Sequence, residues 1–187
     1  MDISELKVEL EKLHGSSFGW ALSCCLRDHS EAEEVLQIVY LKILEGRARY
    51  LCESSLKTWL FAVIRKTAQS ERRKSGLRAL KSIAMPNQTL VESNAAPEPE
   101  AALERSEAQK RFLSALANLP ARQREALHLV FYEDLSLREA ADVMGVSIGS
   151  ARQHYERGKK RLRAALEREE IDYGANRRRN ESSSAVS

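Results

Sequence analysis

The sequence predicts an all-α protein: two small helical domains joined by an extended acidic linker. Three observations carry this. Nearly every periodic stretch repeats its apolar residues at the helical spacing, and no alternating strand pattern occurs. The periodicity fades from about Gly76 to Ala101, where Met85-Pro86-Asn87-Gln88, Asn94 and Pro97-Glu98-Pro99-Glu100 break regular structure. Charge is segregated as well. Lys and Arg cluster at 65–81 and 152–168, whereas 92–107 holds five Glu and one Arg. The boundaries expected are 1–76 and 105–170 for the two domains, 77–104 for a flexible linker, and 171–187 for a disordered tail without an apolar face.

In the first domain, Ile3, Leu6, Leu10 and Leu13 predict a helix over 3–13. A second, from about Ser16 to Leu26, is apolar with few charges and belongs at the centre of a bundle. After a turn at Asp28–Ser30, a third runs from Glu31 to Leu44. It buries Ala32, Val35, Leu36, Val39 and Ile43 and shows Glu33, Glu34, Gln37 and Lys42. The acids of its first turn suit the positive helix end. The loop EGRARYLCESS follows, with Arg47, Arg49 and Tyr50, side chains able to cradle and stack an unpaired base. A fourth helix spans Ser55 to about Ser75. Leu56, Trp59, Leu60, Val63, Ile64 and Thr67 form its apolar stripe, with Trp59 as a core residue. Thr58, Arg65, Gln69 and Arg72 lie opposite, flanked by Lys66 and Arg73, so one face is buried and the other basic and polar.

Beyond the linker, helices are expected over Ala101–Asn118 and Ala121–Tyr132, the second opened by Pro120 at a position that needs no N–H. The segment SLREAADVMGVSIGSARQHYERGKKRLRAAL is the most telling. Ser136 and Glu139 form a capping box, Gly145 supplies a positive-φ stop, and Ser147 caps a second helix running past Leu166. Two helices joined by a tight glycine turn make a helix-turn-helix. On the second helix Ile148, Ala151, Tyr155, Leu162 and Leu166 share one side. Ser150, Gln153, Arg157 and Lys160 lie opposite, flanked by Arg152, His154 and Arg161. Six Lys and Arg fall between Arg152 and Arg163, against one acid, Glu156. Fork-shaped and amide donors of this density suit phosphates and base edges in a major groove.

Composition narrows the function classes. The 187 residues are 43% hydrophobic and 30% charged, with a net charge of +3. Core-forming capacity is sufficient, and no apolar run approaches membrane-spanning length. The acidic, amphipathic start MDISELKVELEKL does not resemble a signal peptide, so a cytoplasmic protein without membrane insertion is expected. Cys24, Cys25 and Cys52 lack C-x-x-C spacing and read as reduced thiols. Cys25 and His29 share an i,i+4 spacing with His14 as a distant third donor. No fourth ligand accompanies them, so no metal is expected. No phosphate loop, nucleophile triad or paired His motif occurs in recognisable order; neither enzyme activity nor a cofactor is expected.

Two blocks, about 15–75 and 108–167, resemble bacterial RNA polymerase sigma factors of the extracytoplasmic-function group. In the first, Ala32-Glu33-Glu34-Val35-Leu36-Gln37 is similar to the family's acidic helix motif. Thr58-Trp59-Leu60 and Ile64-Arg65 with Arg72-Arg73 are similar to its promoter-melting helix. In the second, Leu119-Pro120-Ala121-Arg122-Gln123-Arg124-Glu125, Leu135-Ser136, Ala140-Ala141, Met144-Gly145-Val146-Ser147 and Gly149-Ser150-Ala151-Arg152 resemble the family signature. Lys66, Ser70 and His154 depart from the usual pattern.

The resemblance implies an alternative sigma factor that binds core RNA polymerase, selects promoters and melts them locally. The first domain would hold the polymerase clamp through Glu33, Glu34 and Gln37. It would bind the −10 element through Arg47, Arg49, Tyr50, Arg65, Lys66, Gln69, Arg72 and Arg73. The second would read the −35 element through Ser150, Arg152, Gln153, His154, Arg157, Lys160 and Arg161, with Lys159 on a phosphate. Implied partners are the clamp and flap regions of core polymerase, promoter DNA and an anti-sigma protein. The competing expectation is a stand-alone helix-turn-helix regulator with an N-terminal sensing domain, which leaves the basic fourth helix and the acidic linker unexplained.

Overall fold

The computed structural model describes residues 3–84 and 107–184, and side-chain environments over 4–77 and 111–168. The described residues form helices α1 (Ile3–Lys12), α2 (His14–Cys24), α3 (His29–Leu44), α4 (Leu56–Ala84), α5 (Glu107–Ala117), α6 (Ala121–Leu127), α7 (Leu137–Met144) and α8 (Ile148–Ser184), with a π-helical turn at His128–Tyr132. Residues 85–106, which include most of the expected linker, lie outside the described residues.

Local chemistry accounts for the helix ends. Leu26 and Arg27 both adopt positive φ between α2 and α3, an unusual conformation for branched or long side chains. The chain then enters α3 at Asp28, whose carboxylate accepts the Glu31 N–H at 2.9 Å. α7 carries the expected capping box: Ser136 Oγ accepts from Glu139 N–H, and Glu139 accepts from Ser136 N–H at 2.9 Å. Gly145, at φ 63°, ends it.

In the first half α2, α3 and α4 pack around Trp20, Val39, Leu60, Phe61 and Ile64, all fully buried. Trp20 Nε1 donates to the Phe61 carbonyl at 3.0 Å, which satisfies the indole in an apolar setting. In the second half α6, α7 and α8 pack around Ala126, Leu129, Ala140, Met144 and Ala151. The halves are not separate in space. One continuous apolar cluster runs through both, and α7 lies along α4.

Three expectations change. α4 buries more than one face: Thr58 and Arg65 on its polar side are 1% and 5% exposed, met by Glu139 of α7 and Glu125 of α6. Phe61, outside the apolar stripe read from the sequence, is fully buried and stacks on Trp20 at 5.8 Å. The tail expected to be disordered from 171 continues α8 as far as Ser184. The stretch has no proline, and its Arg and Glu residues are good helix formers.

Candidate nucleic-acid interface

The helix-turn-helix is held from behind by α6. Arg122 Nη1 donates to the Met144 carbonyl at 3.1 Å, tying α6 to the end of α7 just before the turn. Ala151 and Gly158 of α8 are buried, and Gly158 faces α6 closely: a Cβ there would lie 3.1 Å from the Gln123 carbonyl oxygen. With small residues on its inner side, α8 turns Arg152, Gln153, Arg157, Lys160 and Arg161 outward, all exposed. His154 and Ser150 are half-buried. Ser150 is engaged at the cap, with its N–H on Ser147 Oγ at 3.2 Å and the two hydroxyls 2.9 Å apart. Lys159 sits 3.1 Å from Glu156 and 4.8 Å above the Tyr155 ring. α8 thus presents a row of exposed guanidinium, ammonium and amide donors, the groups that suit phosphates and base edges.

Beside it lies an apolar groove of about 360 Å³ lined by Phe112, Leu116, Phe131, Tyr132, Leu162 and Leu166. Phe131 and Tyr132 are 70% and 54% exposed, unusual for aromatic residues of a small domain. In the first half, α3 exposes Glu33, Glu34 and Gln37 together with Leu41, which is 54% exposed. His14 and His29 are used elsewhere: His14 Nδ1 is 3.0 Å from Tyr40 Oη, and His29 packs on Phe18.

The first-half residues are less uniformly available. Arg47 and Arg49 are exposed, Arg47 paired with Glu45 and Arg49 donating to the Gly46 carbonyl at 3.3 Å. Tyr50 donates to the Ser54 carbonyl at 2.6 Å and packs its ring on Trp59, so the loop ends in a two-ring platform. Lys66, Arg72 and Arg73 are exposed and Gln69 is half-buried. Arg72 reaches the Cys24 carbonyl at 3.5 Å. Arg65 is set apart: it is buried, with Nε 3.2 Å from Glu125 Oε2 of α6.

Residues that sequence reasoning missed cluster at this seam. Lys57 Nζ bridges to Glu133 Oε2 at 2.9 Å and donates to its carbonyl at 2.8 Å. Burial opposes ionisation of Glu133, but neighbouring His128 and Lys57 outweigh it and hold the carboxyl below its ordinary value. Hydrogen bonds from the Ser136 hydroxyl and N–H lower Glu139 likewise. The ring of His128 packs on Trp20 at 5.2 Å and on Tyr132 at 5.5 Å. Lys57 lies 76 positions from Glu133, and Trp20 is farther still from His128, distances at which no periodicity argument operates.

Known families match the two halves in order: Sigma-70 region 2 over residues 11–78 and Sigma-70, region 4 over 109–162. The ECF RNA polymerase sigma factor EcfG of Rhodopseudomonas palustris is 30% identical over 135 residues, 72% of this chain and 71% of that one. The chain belongs to the extracytoplasmic-function group of the sigma-70 family. RNA polymerase sigma factor SigZ of Bacillus subtilis is 27% identical over 143 residues, 76% of each chain. Among solved structures, the sigma factor RpoE of Bartonella quintana, in complex with the anti-sigma factor NepR, superposes with a TM-score of 0.70 at 28% identity. The match covers 88% of this chain and 98% of that one. This sigma factor accordingly directs RNA polymerase to promoters, with α8 in the half matched by region 4 and α4 in the half matched by region 2. Among the described residues, no helix is long and apolar enough to cross a membrane.

Proposed function

We propose a division of labour within this sigma factor. α8 reads the −35 element in the major groove, with Arg152, Gln153, His154 and Arg157 nearest the base edges and Ser150 at the entry of the helix. Lys159, Lys160 and Arg161 hold phosphates. The observation that carries this is the row of exposed donors on a helix whose inner side is pinned to α6 by Ala151 and Gly158. The −10 element engages Arg47, Arg49, Arg65, Lys66, Gln69, Arg72 and Arg73, and one unstacked base is received on the Tyr50–Trp59 pair. Unstacking costs a few kcal/mol, which such a platform offsets by stacking worth about 1–3 kcal/mol per base.

Polymerase docks in two places. The clamp meets Glu33, Glu34 and Gln37 on α3, where the exposed Leu41 adds an apolar anchor. The flap seats in the groove around Phe131, whose shape and apolarity suit an amphipathic helix. The chain acts by binding rather than by chemistry, in the cytoplasm, and an anti-sigma protein is a fitting regulator because the sigma factor RpoE it resembles is held by one.

Transcription in vitro with bacterial core polymerase on a promoter library tests the whole. Start sites should fire only with the chain present. Arg157→Ala should cut transcription from a selected promoter about 5- to 150-fold, one base contact's worth, while polymerase binding survives. Equal loss of both would refute the assignment of α8.

A further inference from the structure

α6 holds the helix-turn-helix at two points of different kind. Gly158 is the steric one, seated against the Gln123 carbonyl and Leu127. The other is polar and lies at the turn. There the Ala141 and Asp142 carbonyls accept from the Val146 and Gly145 N–H groups at 3.1 and 3.2 Å. The Met144 carbonyl, last of α7, accepts instead from Arg122 Nη1 at 3.1 Å. Met144 is 1% exposed, so water does not readily serve this end of the helix. A guanidinium at the negative end of a helix makes a charge-assisted bond there, stronger than a neutral one.

The same nitrogen is 3.4 Å from Glu125 Oε2, one turn further along α6, which helps to fix where the guanidinium sits. Arg124 reaches the other way: its Nη1 donates to the Ala117 and Leu119 carbonyls at 3.1 and 3.3 Å. The first turn of α6 thus sends one arginine to the end of α5 and another to the end of α7. Ile148 and Gly158 are ten residues apart, about 15 Å of helix, and Arg152 and Gln153 lie between the two holds. Without Arg122 the first turns of α8 rest on the buried methyl of Ala151, a contact without direction, and can tilt about Gly158. Arg152 stands about 9 Å from that pivot, so a tilt of about 6° moves it by about 1 Å. A binding constellation tolerates about 0.5 Å.

We propose that Arg122 is a positioning residue for −35 recognition. It contacts no base; through the Met144 carbonyl it fixes the angle at which α8 presents Arg152 and Gln153. The inference rests on the reading of α8 as the −35 helix.

The test measures discrimination by the full chain with core polymerase: transcription from a selected promoter, divided by transcription from the same promoter with its most discriminating −35 base pair changed. Arg122→Met keeps the helix propensity and the apolar stem but has no donor. It should lower this ratio at least threefold, with helicity by circular dichroism and the salt dependence of promoter binding unaltered. Arg122→Lys, which retains a cationic donor for the carbonyl, should recover most of the ratio. Arg124→Met removes bonds of the same kind from the same helix, but those that end on α5, and should leave the ratio as it is. If Arg122→Met loses helicity, Arg122→Gln is read in its place, with the same loss expected. An unchanged ratio, a lysine that recovers nothing, or an equal loss in Arg124→Met overturns the positioning role. So does a salt slope reduced by about 1 with the ratio kept, the mark of a phosphate contact made by Arg122 itself. Arg157→Ala in the same assay separates the two levels: if it also leaves the ratio unchanged, the assignment of α8 fails, and if it alone lowers the ratio, only the role of Arg122 fails.

Discussion

Gly158 offers the sharpest quantitative test of how α8 is seated. In an exposed helix interior, replacing glycine by alanine gains about 0.8–1.0 kcal/mol, through helix propensity and a less free unfolded chain. Gly76 of α4 is such a position: it is exposed, and a Cβ there meets nothing within 4 Å. Gly158 is buried, and its Cβ would stand 3.1 Å from the Gln123 carbonyl oxygen, 3.1 Å from Leu127 Cδ1 and 3.2 Å from Leu127 Cγ. The Leu127 side chain could turn only into a packed neighbourhood, since it is 4% exposed. The Gln123 carbonyl belongs to the α6 backbone and cannot turn at all without bending that helix. Relief therefore means lifting α8 by a few tenths of an ångström, and overpacking of this kind costs about 1–3 kcal/mol.

The two substitutions should consequently differ in sign. Gly76→Ala should stabilise by up to about 1 kcal/mol, and Gly158→Ala should range from neutral to about 2 kcal/mol destabilising. In a chain of this size each kcal/mol moves the melting midpoint by about 2–4 °C. Urea unfolding followed by circular dichroism gives both values, and comparing them cancels the common propensity gain. The gap between them is the packing cost alone. If Gly158→Ala stabilises as much as Gly76→Ala, the close approach of α8 to α6 is wrong, and so is the claim that small residues set the pose of the recognition helix.

Gln37→Arg should weaken capture of the chain by immobilised core polymerase at least severalfold, with helicity unchanged; undiminished capture would remove Gln37 from that interface. Thiol reactivity should be graded. Burial pushes the Cys25 thiol up to about 12 and, with Glu125 adding, raises Cys24 well above its ordinary value, whereas Cys52 is exposed. At pH 8 a disulfide reagent should titrate one thiol promptly and the other two only on unfolding. Acid should weaken the seam. Glu133 and Glu139 have folded values below the unfolded one, so their contribution is present above the ordinary glutamate range, near about 4.3, and is lost as pH falls through the lowered values. The melting midpoint should drop in that window, and drop less in Glu133→Gln.

Much of the second half was legible because its signals are local. The Ser136–Glu139 box, the Gly145 stop and the Ser147 cap each act within a few residues, and the structure has all of them. The outward donors of α8 follow from the same local geometry. The helices of the first half were legible for a similar reason, though their ends moved: α3 begins at His29, capped by Asp28, rather than at Glu31. What escaped was everything that depends on one half meeting the other. A periodicity argument assigns Arg65 to the polar face of an isolated helix, and α4 is polar there. It has no means of seeing Glu125, 60 positions away, settle on that face. Phe61 escaped for the matching reason, since it fills space between Trp20 and Lys57 rather than extending the stripe.

The buried Arg65 is the costly member of the contact between α4 and α6. For packing alone, the cheapest arrangement at position 65 would be an apolar side chain of similar volume, which commonly stabilises a buried site by about 1–4 kcal/mol over an ion pair. The chain instead places a guanidinium there, opposite one misaligned carboxylate, with two of its nitrogens unsatisfied. Lys57 shows the complementary pattern: it is only partly covered and well bonded to Glu133, so it gives up little on either side. Packing of the two halves thus fulfils one contact and leaves another unfulfilled on the same helix face. Arg65→Met separates packing from promoter binding: it should raise the melting midpoint of the free chain while lowering transcription with core polymerase. A variant that falls on both counts would mean that Arg65 serves packing after all.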